Sequence, residues 1–286
     1  MKKRSNQKII QKILSAAFIL LACTFAFFAG AKAVQMKSAQ AMRQSGEIQE
    51  EPGTIHEEQP VTTAHISDAL GKAPKPGERV IYLTFDDGPT DNTEDILDVL
   101  DEYNVKATFF VIYTHEGCEK EIKEIYDRGH QIGLHSYSHS YSIYESQTAY
   151  FEDLRKISDL VFSATGMRSR LVRFPGGSSN TISRNYNEGI MTELTQELER
   201  RGYAYCDWNA DSSDASATVV SAERIVNRSV AYIGQEDPVV LLMHDANVKT
   251  TTVEALPEII EQYRSAGYRF DVLSTESFTE HHTLNN

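Results

Sequence analysis

The sequence predicts an α/β fold, a barrel-like (β/α) arrangement of about seven strands set behind an N-terminal transmembrane anchor and a flexible stalk. From Arg79 onward, short apolar runs alternate with amphipathic helical patterns, most of those patterns stop at a glycine, and a polar cluster follows almost every apolar run. Strands that alternate with helices make βαβ units, and such units stack into a mainly parallel sheet.

The elements follow in order. Val80–Phe85 is a short apolar strand, and a helix starts near Thr93 with Ile96, Leu97 and Leu100 on one face. Lys106–Ile112 is the second strand. A helical pattern then ends at Gly129, and His130–Leu134 is the third. Phe151, Leu154, Ile157, Leu160 and Val161 keep helical spacing within Tyr150–Phe162; that helix stops at Gly166, and Leu171–Phe174 follows as a strand. A helix bearing Ile190, Leu194 and Leu198 ends at Gly202 before the strand Tyr203–Cys206. Another bearing Val219, Ile225 and Val230 ends at Gly234 before Val239–Met243. The last helix, through Ile259 and Ile260, ends at Gly267 before Tyr268–Leu273. Glycine ends helices well because it enters the left-handed conformation without a steric penalty.

The N-terminal part has a different texture. Ile13–Ala31 is an uncharged run of 19 residues preceded by Lys2, Lys3, Arg4, Lys8 and Lys12. At about 1.5 Å per residue it spans a hydrocarbon core, and the leading cations favour a cytoplasmic N-terminus with the body exported. Residues 1–33 are therefore expected to be a basic segment and signal anchor, placing the protein at the cell membrane as a single-pass protein with its folded domain outside. The alternative is secretion after cleavage at the small residues near Ala31–Ala33. Residues 34–77 are rich in Gln, Glu, Ser, Thr and Pro and poor in apolar side chains, the composition of a flexible stalk. Residues 78–280 make the folded domain.

Charge excludes one class of partner. Eight Lys/Arg and no acid precede Gly46, which leaves 20 basic against all 41 acidic residues and a formal −21 for the rest. So acidic a body repels phosphate backbones, and no nucleic acid is expected as a ligand. No protein partner is evident either. Cys118 and Cys206 lie outside the anchor. A disulfide between them and two free thiols are equally open readings.

The polar clusters carry the functional argument. Asp86-Asp87-Gly88 follows the first strand, His135 and His139 the third, and Arg173 with Pro175-Gly176-Gly177 the fourth. Asp207, Trp208, Asp211 and Asp214 follow the fifth, and His244 and Asp245 the sixth. In parallel (β/α) architectures the site lies at the C-terminal ends of the strands, where all five clusters fall. Asp87, His135 and His139 form a two-histidine, one-carboxylate ligand set, which leaves coordination positions open as catalytic metals require. Asp86, next to Asp87 but pointing differently along an extended backbone, is placed to act as a general base. Arg173, flanked by apolar residues, needs a carboxylate partner. Asp86 is the candidate, as an oriented base or as half of a structural ion pair.

In this order and spacing, five segments resemble the motifs of the NodB-homology polysaccharide deacetylases, carbohydrate esterase family 4. They are Thr84-Phe85-Asp86-Asp87-Gly88, His135-Ser136-Tyr137-Ser138-His139, Arg173-Phe174-Pro175-Gly176-Gly177, Asp211-Ser212-Ser213-Asp214 and Leu242-Met243-His244. The resemblance implies a distorted (β/α) barrel. It implies Asp86 as base, Arg173 as its partner, and Asp87, His135 and His139 as ligands of a divalent metal, zinc first, with cobalt, nickel or manganese as alternatives. It further implies His244 as the general acid oriented by Asp214, the Gly176 N–H in the oxyanion hole, and Leu242 as a wall of the acetyl pocket. The expected reaction is removal of N-acetyl groups from a cell-wall polysaccharide, peptidoglycan amino sugars first. Acetyl-ester hydrolysis and a weakly active glycan-binding ectodomain are the alternatives. The chain departs from the family pattern at Gly176 and Ala215, where relatives carry Tyr and Trp. Both departures are expected to leave the groove without aromatic walls.

Overall fold

The computed structural model describes residues 71, 73–277 and 279–285. The expected anchor and nearly all of the expected stalk lie outside these residues. Among the described residues no helix is long and apolar enough to cross a membrane.

The described residues form eight strands and six helices, which alternate except for two consecutive strands. In chain order they are β1 (Val80–Asp86), α1 (Thr93–Glu102), β2 (Thr108–Val111), α2 (Glu119–Asp127), β3 (Gln131–Leu134), α3 (Gln147–Thr165), β4 (Leu171–Val172), α4 (Ile190–Arg200), β5 (Ala204–Tyr205), β6 (Ala210–Asp211), α5 (Ala222–Val230), β7 (Val239–His244), α6 (Thr250–Ser265) and β8 (Arg269–Asp271). The sheet runs β5-β4-β3-β2-β1-β7-β6, with β8 paired to the start of β1. Every strand pair is parallel.

β1 lies inside the sheet, paired with β2, β7 and β8, and all seven of its residues are buried. Its sequence, Val-Ile-Tyr-Leu-Thr-Phe-Asp, is nearly continuously apolar because a parallel strand has helices or core on both faces. Its one interior polar side chain, Thr84, is satisfied: Oγ1 donates to the Leu241 carbonyl at 2.7 Å. Around it pack Leu83, Phe85, Ile96, Leu97, Phe109, Ile132, Leu241 and Ile259, all at most 1% exposed. Ile96, Leu97 and Leu100 of α1 are buried as their spacing predicts, and α3 ends where expected, with Gly166 as its left-handed cap at φ +74°.

One detail differs from expectation and two add to it. All seven expected strands are present, and an eighth, β6, is two residues long, too short to show alternation. It hydrogen-bonds only to β7, so the barrel is open between β5 and β6. Val219 is not on α5. It is exposed, and the helix starts after Ser221, whose side chain accepts the Arg224 N–H. Of the two readings left open for Cys118 and Cys206, the structure has the free thiols, both buried.

The open edge beside β5 is covered by the end of the chain. Asp207 N–H donates to Glu280 O at 2.7 Å, and the His281 ring stacks on Tyr205 with centroids 3.9 Å apart. Covering an edge strand in this way satisfies backbone groups that would otherwise be open to a foreign strand.

Candidate active site

The strands all point one way, so their C-terminal ends form one rim, and the predicted residues gather there. Asp86 is the last residue of β1 and is in register with His244, the last residue of β7. Four of the five described non-glycine residues with positive φ sit at this rim: Asp87, Ser136, His139 and Ser213. Backbone of this kind is costly for side-chain-bearing residues and collects where a site requires it.

Asp87, His135 and His139 come together as a set. One ligand atom from each lies within 4.8 Å of the others. Asp87 Oδ1 is 3.2 Å from His139 Nε2 and 3.6 Å from His135 Nε2. That carboxylate oxygen is buried and has no hydrogen-bond partner, which is costly unless something else satisfies it. The His135 ring is held through Nδ1, 2.8 Å from the Arg173 carbonyl. Nδ1 must therefore carry the proton and Nε2 presents its lone pair to Asp87 and His139. Burial pushes the His135 pKa down to about 3, so the ring is neutral, as a metal ligand must be. An orphaned carboxylate oxygen facing an imidazole lone pair, with a second imidazole nitrogen beside them, fits a divalent cation.

Behind this set, Arg173 is fully buried and uses its whole guanidinium. Nη1 donates to Asp86 Oδ1 at 2.9 Å and to Thr84 Oγ1 at 2.8 Å. Nε donates to Cys206 O and Nη2 to Asp207 O, each at 2.9 Å. The ring of Phe110 lies 4.1 Å from the guanidinium carbon. Burial raises the Asp86 pKa, and Arg173 opposes that rise. The other Asp86 oxygen, Oδ2, is free of Arg173 and lies 3.7 Å from His135 Nε2.

Asp214 and His244 form a second pair. Asp214 Oδ1 accepts from His244 Nδ1 and Oδ2 from the His244 backbone N–H, both at 2.8 Å. Thr252 Oγ1 adds a third hydrogen bond to Oδ2 at 3.0 Å. Lys249 secures the surrounding turn, its Nζ donating to the carbonyls of Asp214, Ala217 and Thr218. Burial favours neutral forms of both groups. The hydrogen bond and charge within the pair, helped at His244 by Asp86 and Asp87, outweigh it. The His244 pKa is raised to about 9 and that of Asp214 is held below its ordinary value.

The loop after β4 carries Gly176, exposed and with φ +78°. A Cβ added there would lie 2.8 Å from the Tyr141 hydroxyl oxygen, and one added at Gly177 would lie 2.9 Å from the Trp208 ring. The expectation of a bare groove at Gly176 is therefore corrected: Tyr141 already occupies that space. Ala215, by contrast, is exposed. The loop is clamped by Asp207, whose Oδ1 accepts the Ser178 N–H at 2.8 Å and whose Oδ2 accepts the Ser178 hydroxyl at 2.5 Å. Oδ2 also takes the His282 N–H, so the chain terminus braces the same loop. Leu242 is buried on β7, one strand from Thr84.

Sequence reasoning did not assign roles to Thr84, Tyr141, Lys249 or Thr252, and it placed Asp207 and Asp245 only as members of rim clusters. Asp245 accepts from Thr90 and Thr93, at 2.8 and 2.5 Å, and its N–H donates to Asp86 O at 2.7 Å, so it fixes the turn after β1. A Cβ on Gly88 would collide with its carboxylate. The signal for Asp207 and Asp245 was their place after a strand. For the other four there was none, since each acts through a contact distant in sequence.

Comparison with known proteins places this geometry. The sequence profile of the polysaccharide deacetylase family matches residues 73–191. The chain is 33% identical to YheN of Bacillus subtilis over 202 residues, 69% of this chain and 68% of that one. It is 30% identical to a peptidoglycan-N-acetylglucosamine deacetylase of Bacillus cereus over 206 residues, 70% and 71% of the two chains. Its fold matches the crystal structure of the catalytic domain of peptidoglycan N-acetylglucosamine deacetylase from Eubacterium rectale. The TM-score is 0.72 at 44% identity, covering 76% of this chain and 99% of that one. With the five motifs assembled on one rim of a parallel sheet, the chain belongs to the polysaccharide deacetylase family, the NodB-homology enzymes of carbohydrate esterase family 4.

Proposed function

We propose that this polysaccharide deacetylase removes N-acetyl groups from the amino sugars of peptidoglycan, releasing acetate and a free amine, and that it depends on one divalent metal, zinc first. The observation that carries the proposal is the orphaned Asp87 Oδ1 facing His135 and His139, with a buried carboxylate–arginine pair on one side and a carboxylate–histidine pair on the other. Bound at Asp87, His135 and His139, the cation supplies Lewis acidity to the acetamide carbonyl and acidity to the attacking water.

The chain's own groups do the rest. Asp86 takes the proton from water through Oδ2, the oxygen not held by Arg173. Arg173 keeps a carboxylate that burial would neutralise available as a base. The Gly176 N–H, on a clamped and exposed loop, donates to the oxygen of the tetrahedral intermediate. Asp214 holds His244 as the imidazolium by accepting its Nδ1–H, so the ring also bears a proton on Nε2, which it delivers to the leaving amine. Leu242 closes the acetyl pocket. The Ile13–Ala31 run, as a membrane tether, would hold the domain beside the wall polymer.

The test is acetate release by the zinc-loaded domain from N-acetylated peptidoglycan, chitin oligomers and acetylxylan. Release from peptidoglycan supports the reading. Release from acetylxylan alone would replace the amide reaction with ester hydrolysis, and no release from any of the three would reduce the chain to a glycan-binding domain.

A further inference from the structure

Tyr141 stands at the junction of the two halves of the site. It opens a short 3-10 turn, Tyr141–Glu145, two residues after His139. Its ring meets the His139 ring edge-on, with centroids 6.4 Å apart and planes at 70°. On its other side it leans on Tyr144, at 6.1 Å. In a 3-10 turn, residues three apart lie above one another. Tyr144 is fully buried and its hydroxyl donates to Pro175 O at 2.9 Å, so it fixes the turn against the loop after β4. Tyr141 points to the next residue of that loop, with its oxygen 2.8 Å and its Cε1 3.4 Å from where a Gly176 Cβ would be.

Tyr141 and Gly176 therefore share one space, and they share it between a candidate metal ligand and the candidate oxyanion donor. Tyr141 is half-buried, and its hydroxyl makes no hydrogen bond to any described residue. The neighbouring Tyr144, three residues on, spends its hydroxyl on the backbone; Tyr141 keeps its own. A phenol with a packed ring and a free O–H at the mouth of a site presents an apolar wall and one donor to whatever enters.

We propose that Tyr141 is a substrate-contacting residue that determines specificity: its ring walls the subsite of the sugar bearing the scissile acetamide, and its hydroxyl donates to an oxygen of that sugar. The proposal rests on the deacetylase reading above. A side chain supplied by the turn after β3 thus does from across the groove what position 176 cannot do with glycine. The ligand class is a neutral N-acetylated amino sugar, since the partner on the protein is an uncharged donor and a ring face.

Tyr141→Phe and Tyr141→Ala test it, with the N-acetylglucosamine tetramer as probe and three readouts: steady-state kinetics, calorimetric affinity for the tetramer, and zinc affinity by competition with a chromophoric chelator. One neutral hydrogen bond corresponds to a change of about threefold to tenfold. Tyr141→Phe, which keeps the ring and its packing, is expected to raise KM and weaken tetramer binding by that factor. Tyr141→Ala should weaken both by about tenfold more through lost apolar contact. Zinc affinity should stay at the wild-type value in both. Wild-type tetramer affinity in Tyr141→Ala overturns the subsite. A loss that follows weakened zinc binding overturns it as well, because Tyr141 would then only support His139. Wild-type affinity in Tyr141→Phe with a loss in Tyr141→Ala overturns the donor role. Calorimetry needs no turnover, so failure of the wild type to release acetate would sink the deacetylase reading and leave the subsite result to stand or fall alone.

Discussion

Asp214 grips His244 twice, one carboxylate oxygen on the ring Nδ1 and the other on the backbone N–H, both at 2.8 Å. A single contact would leave the imidazole free to pivot. Two contacts from one carboxylate fix both the strand end and the ring, so Nε2 can face only the site. His244→Ala should therefore retain fold and metal while losing about 10²- to 10⁴-fold in kcat, the usual worth of a general acid. Turnover within a few-fold of wild type would place the acid elsewhere.

The same pair sets a pH limit. A raised histidine pKa means that the charged, proton-bearing form survives to higher pH, up to about 9 here. Activity that needs that proton should hold as pH rises and fall above the His244 pKa. A bound divalent cation offsets the help His244 receives from Asp86 and Asp87, so the alkaline limb of the loaded enzyme should lie somewhat below 9. Asp214→Asn removes the main support and leaves burial, which lowers the pKa. The limb should then move to lower pH by more than a unit in a kcat–pH profile; an unmoved limb would detach it from His244.

Metal content is the direct check on the triad. The folded domain should bind about one equivalent by elemental analysis, and the His135→Ala, His139→Ala double variant should bind none. Full retention in that variant would refute the ligand assignment.

Arg173 offers a stability test separate from catalysis. It is the ion-pair partner of a buried carboxylate and also satisfies the carbonyls of Cys206 and Asp207. Arg173→Met should lower the unfolding free energy by about 3–5 kcal/mol, because a buried charge is left uncompensated. Adding Asp86→Asn should return part of that, since the charge is gone. Denaturant titrations of the metal-free proteins measure both. A loss below about 1 kcal/mol would show that Asp86 is neutral without its partner.

Ala215 is the second departure from the family pattern. It is exposed beside Asp214, whereas Tyr141 fills the space at Gly176. Loss of an aromatic wall at one subsite weakens binding by on the order of 1 kcal/mol, which short oligomers feel most. Ala215→Trp should improve kcat/KM on short chitin oligomers and reduce it on peptide-substituted wall polymer. No change on either would show that position 215 does not border the sugar.

The layout of the rim was legible because it rests on strand ends. Each apolar run announced a strand, and the polar residues immediately after it could only lie on the rim. Asp86, Asp87, His135, His139, Arg173 and His244 are of this kind. β6 was hidden because Ala210 and Asp211 are too few to show a period, so Asp214 read as part of the loop after β5. Tyr141 was hidden for a different reason. Its significance comes from Gly176, 35 positions on, and a tyrosine among several in one turn carries no mark of which one faces a ligand. Trp208 was visible, but its partner, the Gly177 backbone, was not. Substitution by glycine reads in sequence as an empty place, while in space a neighbour had filled it.

β1 takes its central partners from far along the chain. Thr84 bonds Leu241 across 157 positions, and β8 pairs with β1 from still later. Asp86 therefore acquires its neighbour His244 only after the chain has closed a very large loop, and local helix formation cannot hasten that step. The strand that anchors the chemistry is therefore half-paired while only β2 is in place, and it is completed only when β7, 157 positions on, docks beside it.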